Sequence, residues 1–395
     1  MIRGNESRRK ASSDYIPYNT PDIGQNEIDN ITDTLRSGWL AKGPKTMAFE
    51  EAFRDYTGGR YAVALNSCTA ALHLALLAAG IGPGDEVITT PMTFVSSVNT
   101  IIQVGATPVF VDVDPDNGLI DPSMIEAAVT PRTKAVVPVH YAGYACDLDQ
   151  IYDIAERHNL FVSEDAAHAI DTRWRGELIG AHSSGAVAYS FYATKNIATG
   201  EGGMLVTDDE ALADSVRVYS SHGMSRNAWN RYHKGGSWRY DVEVIGYKYN
   251  MFDLQAAMGL EQLKRLPEFQ KRRFEIAERY KTELAGLPGL ILPNPDPDDM
   301  TPSWHLFVVQ IDEQEAGFSR DAFIEQMNEK RIGTSVHFIP VPEMSVYRSR
   351  GFDISDYPVT MQFGSRIVSL PLYSKLDDEQ VSYITQSIKE IFAGA

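Results

Sequence analysis

Tyr61-Ala62-Val63-Ala64-Leu65, then Asn66-Ser67-Cys68-Thr69, then Ala70-Ala71-Leu72-His73-Leu74-Ala75-Leu76-Leu77-Ala78-Ala79 is a β-rich run, a polar turn and a helical run in direct succession. The unit recurs. Residues 86–89 precede the helical stretch 94–104, residues 107–111 precede 123–129, and residues 135–139 precede 148–158, after which 160–163 reads as a further strand. Strands that alternate regularly with helices are joined by right-handed crossovers, so they lie mostly parallel in a sheet covered on both faces. The expected fold class is α/β, built on a large, mostly parallel sheet.

Near Asn250 the pattern lengthens into helical periodicity over residues 253–266 and then 267–284, with Pro267 opening the second helix, where its missing N–H is tolerated. Residues 288–302, rich in proline and solvated by Asp296, Asp298 and Asp299, read as a linker. Beyond them 304–311 is an expected strand, 320–330 a helix and 333–338 another strand, which together suggest a smaller α+β domain. The expected division is a frayed tail over residues 1–14, a large domain over 15–287 ending in long connecting helices, and a small C-terminal domain over 288–395.

The 395 residues and an apolar fraction of 43% are ample for such a core. A net charge of −17 repels phosphate-rich partners and argues against nucleic acid or an anionic membrane surface. Arg3, Arg8, Arg9 and Lys10 are not followed by the apolar run of a signal peptide, and no uninterrupted apolar segment is long enough to cross a bilayer. Cys68 and Cys146 have no metal-ligand spacing, and two cysteines suggest no disulfide framework, so neither a metal site nor an oxidising compartment is expected. The expected location is the cytoplasm.

Chemistry concentrates around Lys195, in Ser190-Phe191-Tyr192-Ala193-Thr194-Lys195-Asn196, ahead of Gly200-Glu201-Gly202-Gly203. A lysine that bonds an aldehyde cofactor needs a short strand to present it and small neighbours that let a flat ring lie close; a solvated lysine after a strand explains the same stretch taken alone. Pyridoxal phosphate further needs an anion for its ring nitrogen, a phosphate cup, a stacking wall and a partner for its ring oxygen. Asp165, in Glu164-Asp165-Ala166-Ala167-His168, follows a strand at the carboxyl end where open α/β sheets collect ligands, although an aspartate there also caps helices. Residues 66–72 join strand to helix, where N–H groups and hydroxyls suit a phosphate, and where Ser67 or Thr69 equally serves as a plain N-cap. His168 suits the ring or its oxygen, and Phe94 the ring face; both types also occur as simple core residues.

Taken jointly, these segments resemble the sugar aminotransferases of the DegT/DnrJ/StrS family, of the type I aminotransferase fold. The resemblance rests also on Ser37-Gly38-Trp39-Leu40, Gly43-Pro44-Lys45, Gly82-Pro83-Gly84-Asp85-Glu86-Val87-Ile88 and Gly246-Tyr247-Lys248-Tyr249-Asn250-Met251. It runs from about Ile16 to the C-terminus and is nearest to members that make spore-coat polysaccharide sugars and 4-amino-arabinose. It implies that Lys195 bonds the cofactor aldehyde, Asp165 holds the pyridine nitrogen, His168 sits at the ring oxygen and Phe94 covers the ring. Thr69, Ala70 and Ser190 would hold the phosphate together with Asn250 of a second subunit, which makes a homodimer with shared sites the smallest active unit. Many relatives carry glycine where this chain has Cys68, so the resemblance does not fix the backbone geometry of the phosphate cup.

The implied reaction takes an amino group from L-glutamate, leaving 2-oxoglutarate, and places it on a nucleotide-linked keto sugar at C4. Trp39 and His337 are acceptor-side candidates, although a helix end and a buried strand account for them too. A dehydratase with the same cofactor would have histidine in place of Lys195. A regulator that kept the fold without turnover would carry a DNA-binding module, and the sequence has no such module. Nucleotide and epimer choice depend on the loop over residues 221–244.

Overall fold

The computed structural model describes residues 15–224, 241–293 and 299–394. The tail expected at 1–14 lies outside them, as do most of the loop at 221–244 and the middle of the stretch at 288–302.

Mostly buried residues form β1 (Tyr61–Leu65), β2 (Glu86–Thr89), β4 (Thr133–Val137) and β5 (Phe161–Asp165), and β3 (Thr107–Phe110), at the sheet edge, is buried at alternate positions. After the short ribbon β6 (Arg173–Trp174) and β7 (Glu177–Leu178) come β8 (Ala186–Ser190) and β9 (Gly203–Thr207). Seven of these make one sheet in the order β1-β9-β8-β5-β4-β2-β3. All neighbours from β3 to β8 pair in parallel, and β9 runs antiparallel to both β8 and β1. The large, mostly parallel sheet of the type I fold is present. Its carboxyl edge gathers the loop after β1, Asp165 at the end of β5 and Ser190 at the end of β8.

The α-helices described up to residue 284 are α1 (Gln25–Ser37), α2 (Pro44–Thr57), α3 (Cys68–Ala78), α4 (Val95–Gln103), α5 (Pro122–Ala128), α6 (Leu148–His158), α7 (Glu210–Tyr219) and α8 (Asp253–Leu284). The last corrects the expectation of two helices, because Pro267 lies inside a single helix of 32 residues. Proline removes one rung of the hydrogen-bond ladder, but Leu263, Leu266, Phe269, Ile276, Tyr280 and Leu284 are buried on both sides of it, and that continuous apolar stripe holds the helix together. Along its length α8 grips several segments. Asp253 accepts from Gly43 N at 2.8 Å and Thr46 Oγ1 at 2.7 Å, Gln262 accepts from Ala198 N at 3.2 Å, and the buried Arg273 donates to the carbonyls of Trp304, His305 and Leu372.

Past α8, β10 (Leu290–Ile291), β12 (Phe307–Ile311) and β13 (Ile367–Leu370) form a small antiparallel sheet, while β11 (Met300–Thr301) adds to β6. The strand expected over 333–338 is not formed, apart from one bridge between Ser335 and Ser369. Pro340 and Pro342 follow and cannot donate to a ladder, and His337 and Phe338 leave the sheet to face the cavity described below.

Candidate active site

The turn leaving β1 enters α3 at Cys68. Ser67 takes the capping role, its Oγ accepting from Ala70 N at 3.1 Å, so the Ala70 N–H is already engaged. The Cys68 and Thr69 N–H groups stand in the first turn, where no intrahelical acceptor exists and the helix dipole favours an anion. Gly203 closes this turn from below: a Cβ there would lie 2.3 Å from the Ser67 carbonyl carbon and 2.5 Å from Cys68 N. In register across β8, Gly203 faces Ser190, whose Oγ accepts from Tyr192 N at 3.3 Å.

Asp165 is the last residue of β5 and is buried. Its Oδ2 accepts from Ser97 Oγ at 2.6 Å and its Oδ1 from Ala167 N at 3.1 Å. Ser97 is itself 2.8 Å from Thr93 Oγ1. The sequence reading missed this partner although Ser97 lies in the first turn of α4, three residues after Phe94; a hydroxyl at a helix start was the available signal. Cys68 Sγ lies 4.0 Å from Asp165 Oδ1 and 3.5 Å from Ala188 O. Burial and the Asp165 charge push its thiol well above the usual range, so it stays protonated.

Lys195 follows β8, its backbone N bonded to Tyr192 O at 2.8 Å. Burial lowers its ammonium to about 8, against the pull of Asp165. Three histidines surround it. Burial and the Lys195 charge hold His168 well below the ordinary imidazole value, and its Nδ1 accepts from Ala142 N at 3.2 Å, which leaves Nε2 as the N–H. His337, also lowered by burial and Lys195, to about 4, has Nδ1 2.9 Å from Ser369 Oγ. His305 lies with Nε2 3.5 Å from Lys195 Nζ and with its ring centroid 4.4 Å from that of His168. Nothing in the strand-like run 304–311 marked His305 as a site residue.

One cavity of about 460 Å³ gathers Thr69, Phe94, Asp165, His168, Ser190, Lys195 and His337 from the expected set, and adds His305, Phe338 and Tyr192. Phe94 N-caps α4, is 55% exposed, and its ring stands 5.7 Å from that of Phe338. Ala70 is buried behind the turn and Asn250 and Trp39 do not line the cavity of their own chain. Asn250 bridges Leu65, with Nδ2 donating to Met251 O at 3.0 Å, and Trp39 is half-exposed with Nε1 donating to Lys42 O at 3.1 Å.

A half-buried amine, a buried carboxylate and a helix N-terminus on the carboxyl edge of this sheet form the donor set of a pyridoxal phosphate enzyme. The chain belongs to the DegT/DnrJ/EryC1/StrS aminotransferase family, whose pattern matches residues 21–389. It is 56% identical to the spore coat polysaccharide biosynthesis protein SpsC of Bacillus subtilis over 96% of this chain and 98% of that one. Among solved structures it resembles Spr1654 of Streptococcus pneumoniae in its PLP form, with 34% identity, a TM-score of 0.89 and coverage of 96% of this chain and 99% of that one; the PMP form of the same protein gives a TM-score of 0.90. The sugar aminotransferase CalS13 of Micromonospora echinospora is 30% identical with a TM-score of 0.85, over 95% of this chain and 99% of that one. The cofactor is pyridoxal 5′-phosphate. Among the described residues no helix is long and apolar enough to cross a membrane.

Proposed function

We propose that this chain moves an amino group from L-glutamate to C4 of a nucleotide-linked keto sugar, giving a nucleotide amino sugar for spore-coat or cell-surface polysaccharide. The observation that carries the reading is the Lys195 amine, lowered by burial to about 8 in the same cavity as the buried carboxylate of Asp165. The name of SpsC and the sugar aminotransferase CalS13 support the sugar and the polysaccharide.

The bound cofactor supplies an electron sink for the carbon whose C–N bond is exchanged. Asp165, steadied by Ser97 and Ala167, holds a proton at the ring nitrogen. Lys195 Nζ, partly neutral near pH 8, takes the proton from the donor Cα and returns one to the acceptor carbon in the second half-reaction. His168 donates through Nε2 on the ring-oxygen side, and Phe94 shields the ring face. Ser190, Thr69 and the first turn of α3 receive the phosphate. His337 and Trp39 serve the acceptor side. Asn250 completes the phosphate cup of a second subunit, so the active unit is a cytoplasmic homodimer. A small domain beginning at 288 belongs to the same reading, supported by an antiparallel sheet drawn wholly from residue 290 onward.

Incubating the purified protein with cofactor, glutamate and a panel of nucleotide-4-keto sugars, with products read by mass and NMR, tests the reaction; absence of 2-oxoglutarate and amino sugar across the panel overturns it. For the shared site, inactive Lys195→Ala chains mixed with impaired Asn250→Asp chains should regain activity, because one site of each hybrid holds both native residues. With subunit exchange demonstrated, a lack of rescue removes Asn250 from the partner's site.

A further inference from the structure

We propose that His305 is a positioning residue for Lys195: Asn196 locks it in one tautomer, and its bare Nε2 holds the lysine amine whenever that amine is not bonded to the cofactor. This rests on the reading of Lys195 as the cofactor-bonding residue. The lock follows from hydrogen-bond bookkeeping. Asn196 Nδ2 donates to Gln270 Oε1 at 2.7 Å and to Ser303 O at 2.9 Å, and Gln270 Nε2 donates to Ser303 O at 2.9 Å. Both N–H bonds of the Asn196 amide are therefore spent on acceptors, and flipping the amide would set oxygen against the Ser303 carbonyl. The remaining atom, Asn196 Oδ1, lies 3.0 Å from His305 Nδ1 and can only accept.

His305 Nδ1 must then carry the hydrogen, and a neutral imidazole has only one. Burial, with the charges of Lys195 and Arg273 nearby, keeps this ring well below the ordinary value and so neutral. The lone pair on Nε2 faces Lys195 Nζ at 3.5 Å, a separation that a bound substrate complex can tighten. His305 and Asn196 are both nine-tenths buried or more, so water does not compete freely for either. The amine is freed in each half-reaction, and an unbranched four-carbon stem has many rotamers in which it would miss its next proton. An acceptor fixed from α8 through Asn196 narrows that search. Asp165, Cys68, His168, His337, Tyr192 and Glu201 are the other titratable groups that act on the amine or share its cavity.

The test uses two isosteres. Asparagine at 305 keeps a donor where Nδ1 stood and loses the acceptor at Nε2; glutamine keeps an acceptor at the Nε2 position. In the cofactor-free chain, acetic anhydride labelling of Lys195 against pH, read by peptide mass spectrometry, should give a His305→Asn profile displaced to lower pH by about half a unit or more, because the ammonium loses an acceptor. In the loaded enzyme kcat should fall about tenfold while KM stays within about twofold. His305→Gln should recover most of both, and Asn196→Leu, which releases the lock and leaves the ring in place, should move the labelling profile in the same direction as His305→Asn. Wild-type behaviour of His305→Asn overturns the proposal, as does an equal fall in both position-305 variants with the Lys195 profile unmoved, the mark of a merely structural residue. If His305→Asn does not fold, an Asn196→Leu profile matching wild type overturns it. A Schiff-base absorbance that Lys195→Ala fails to abolish would instead overturn the underlying reading, independently of the labelling result.

Discussion

The two walls of the cavity are made in different ways. On the sheet wall, Asp165 and Ser190 end strands and Thr69 stands in the first turn of a helix, so each position is set by a regular element. On the opposite wall His305, His337 and Phe338 come from irregular backbone beyond α8 and are held by side-chain contacts, such as His305 to Asn196 and His337 to Ser369. In the proposed mechanism the chemistry common to both half-reactions rests on the regular wall, with His305 supporting it from across the cavity, while the His337–Phe338 stretch can change shape without disturbing it, which suits a surface that meets the variable substrate.

This contrast predicts a ranking of losses. Lys195→Ala should reduce turnover by roughly 10⁴-fold, the upper range for a positioned proton-transfer group, and abolish the visible absorbance of the Schiff base between lysine and cofactor while leaving the far-ultraviolet circular dichroism unchanged. Near-normal transamination by this variant would sink the assignment. Asp165→Asn should still bind cofactor but lose roughly 10²- to 10³-fold in rate for donor and acceptor alike, as when a preorganised electrostatic partner is removed; single-turnover rates for each half-reaction give the measurement, and unchanged rates would take Asp165 out of the site. Ser97→Ala deletes the 2.6 Å bond to Asp165 Oδ2 and should slow both half-reactions about tenfold, the usual worth of a hydrogen bond to a charged group. An effect confined to the sugar half-reaction would contradict the division between the walls. The smallest change is expected from His337→Ala, about three- to tenfold in kcat/KM for the sugar with the glutamate half-reaction untouched; equal losses in both would merge the two walls.

What could be read from the sequence follows the same division. Asp165, Thr69 and Lys195 were visible because strand, turn and helix patterns place them at one sheet edge before any side-chain contact is known. Pro267 misled because a proline that opens a helix and one buried within a helix look alike until the packing on either side is seen. Residues 333–338 carry a β-like pattern, yet two prolines follow them, and the bonds of His337 Nδ1 with Ser369 Oγ and of the Tyr141 hydroxyl to the His337 carbonyl hold the segment in irregular backbone. His305 had no local signal at all: its value comes from Asn196, 109 positions away, and only the fold brings the two within 3.0 Å. Ser97 was hidden in plain view, since its hydroxyl acquires meaning from a carboxylate 68 positions on.

Helix α8 contributes no side chain to the cavity wall, yet it works as a ruler for it. Gln262 is hydrogen-bonded to the backbone just after the lysine, Gln270 to Asn196 and Ser303, and Arg273 to the carbonyls of Trp304 and His305. Each residue added to or lost from a helix turns everything beyond it by about 100° and slides it by about 1.5 Å. One deletion between Gln262 and Gln270 would therefore leave the lysine segment gauged by one setting of the ruler and the histidine segment by another. The span can vary freely in its outward-facing letters but hardly at all in its length, a constraint on spelling that no single substitution would reveal.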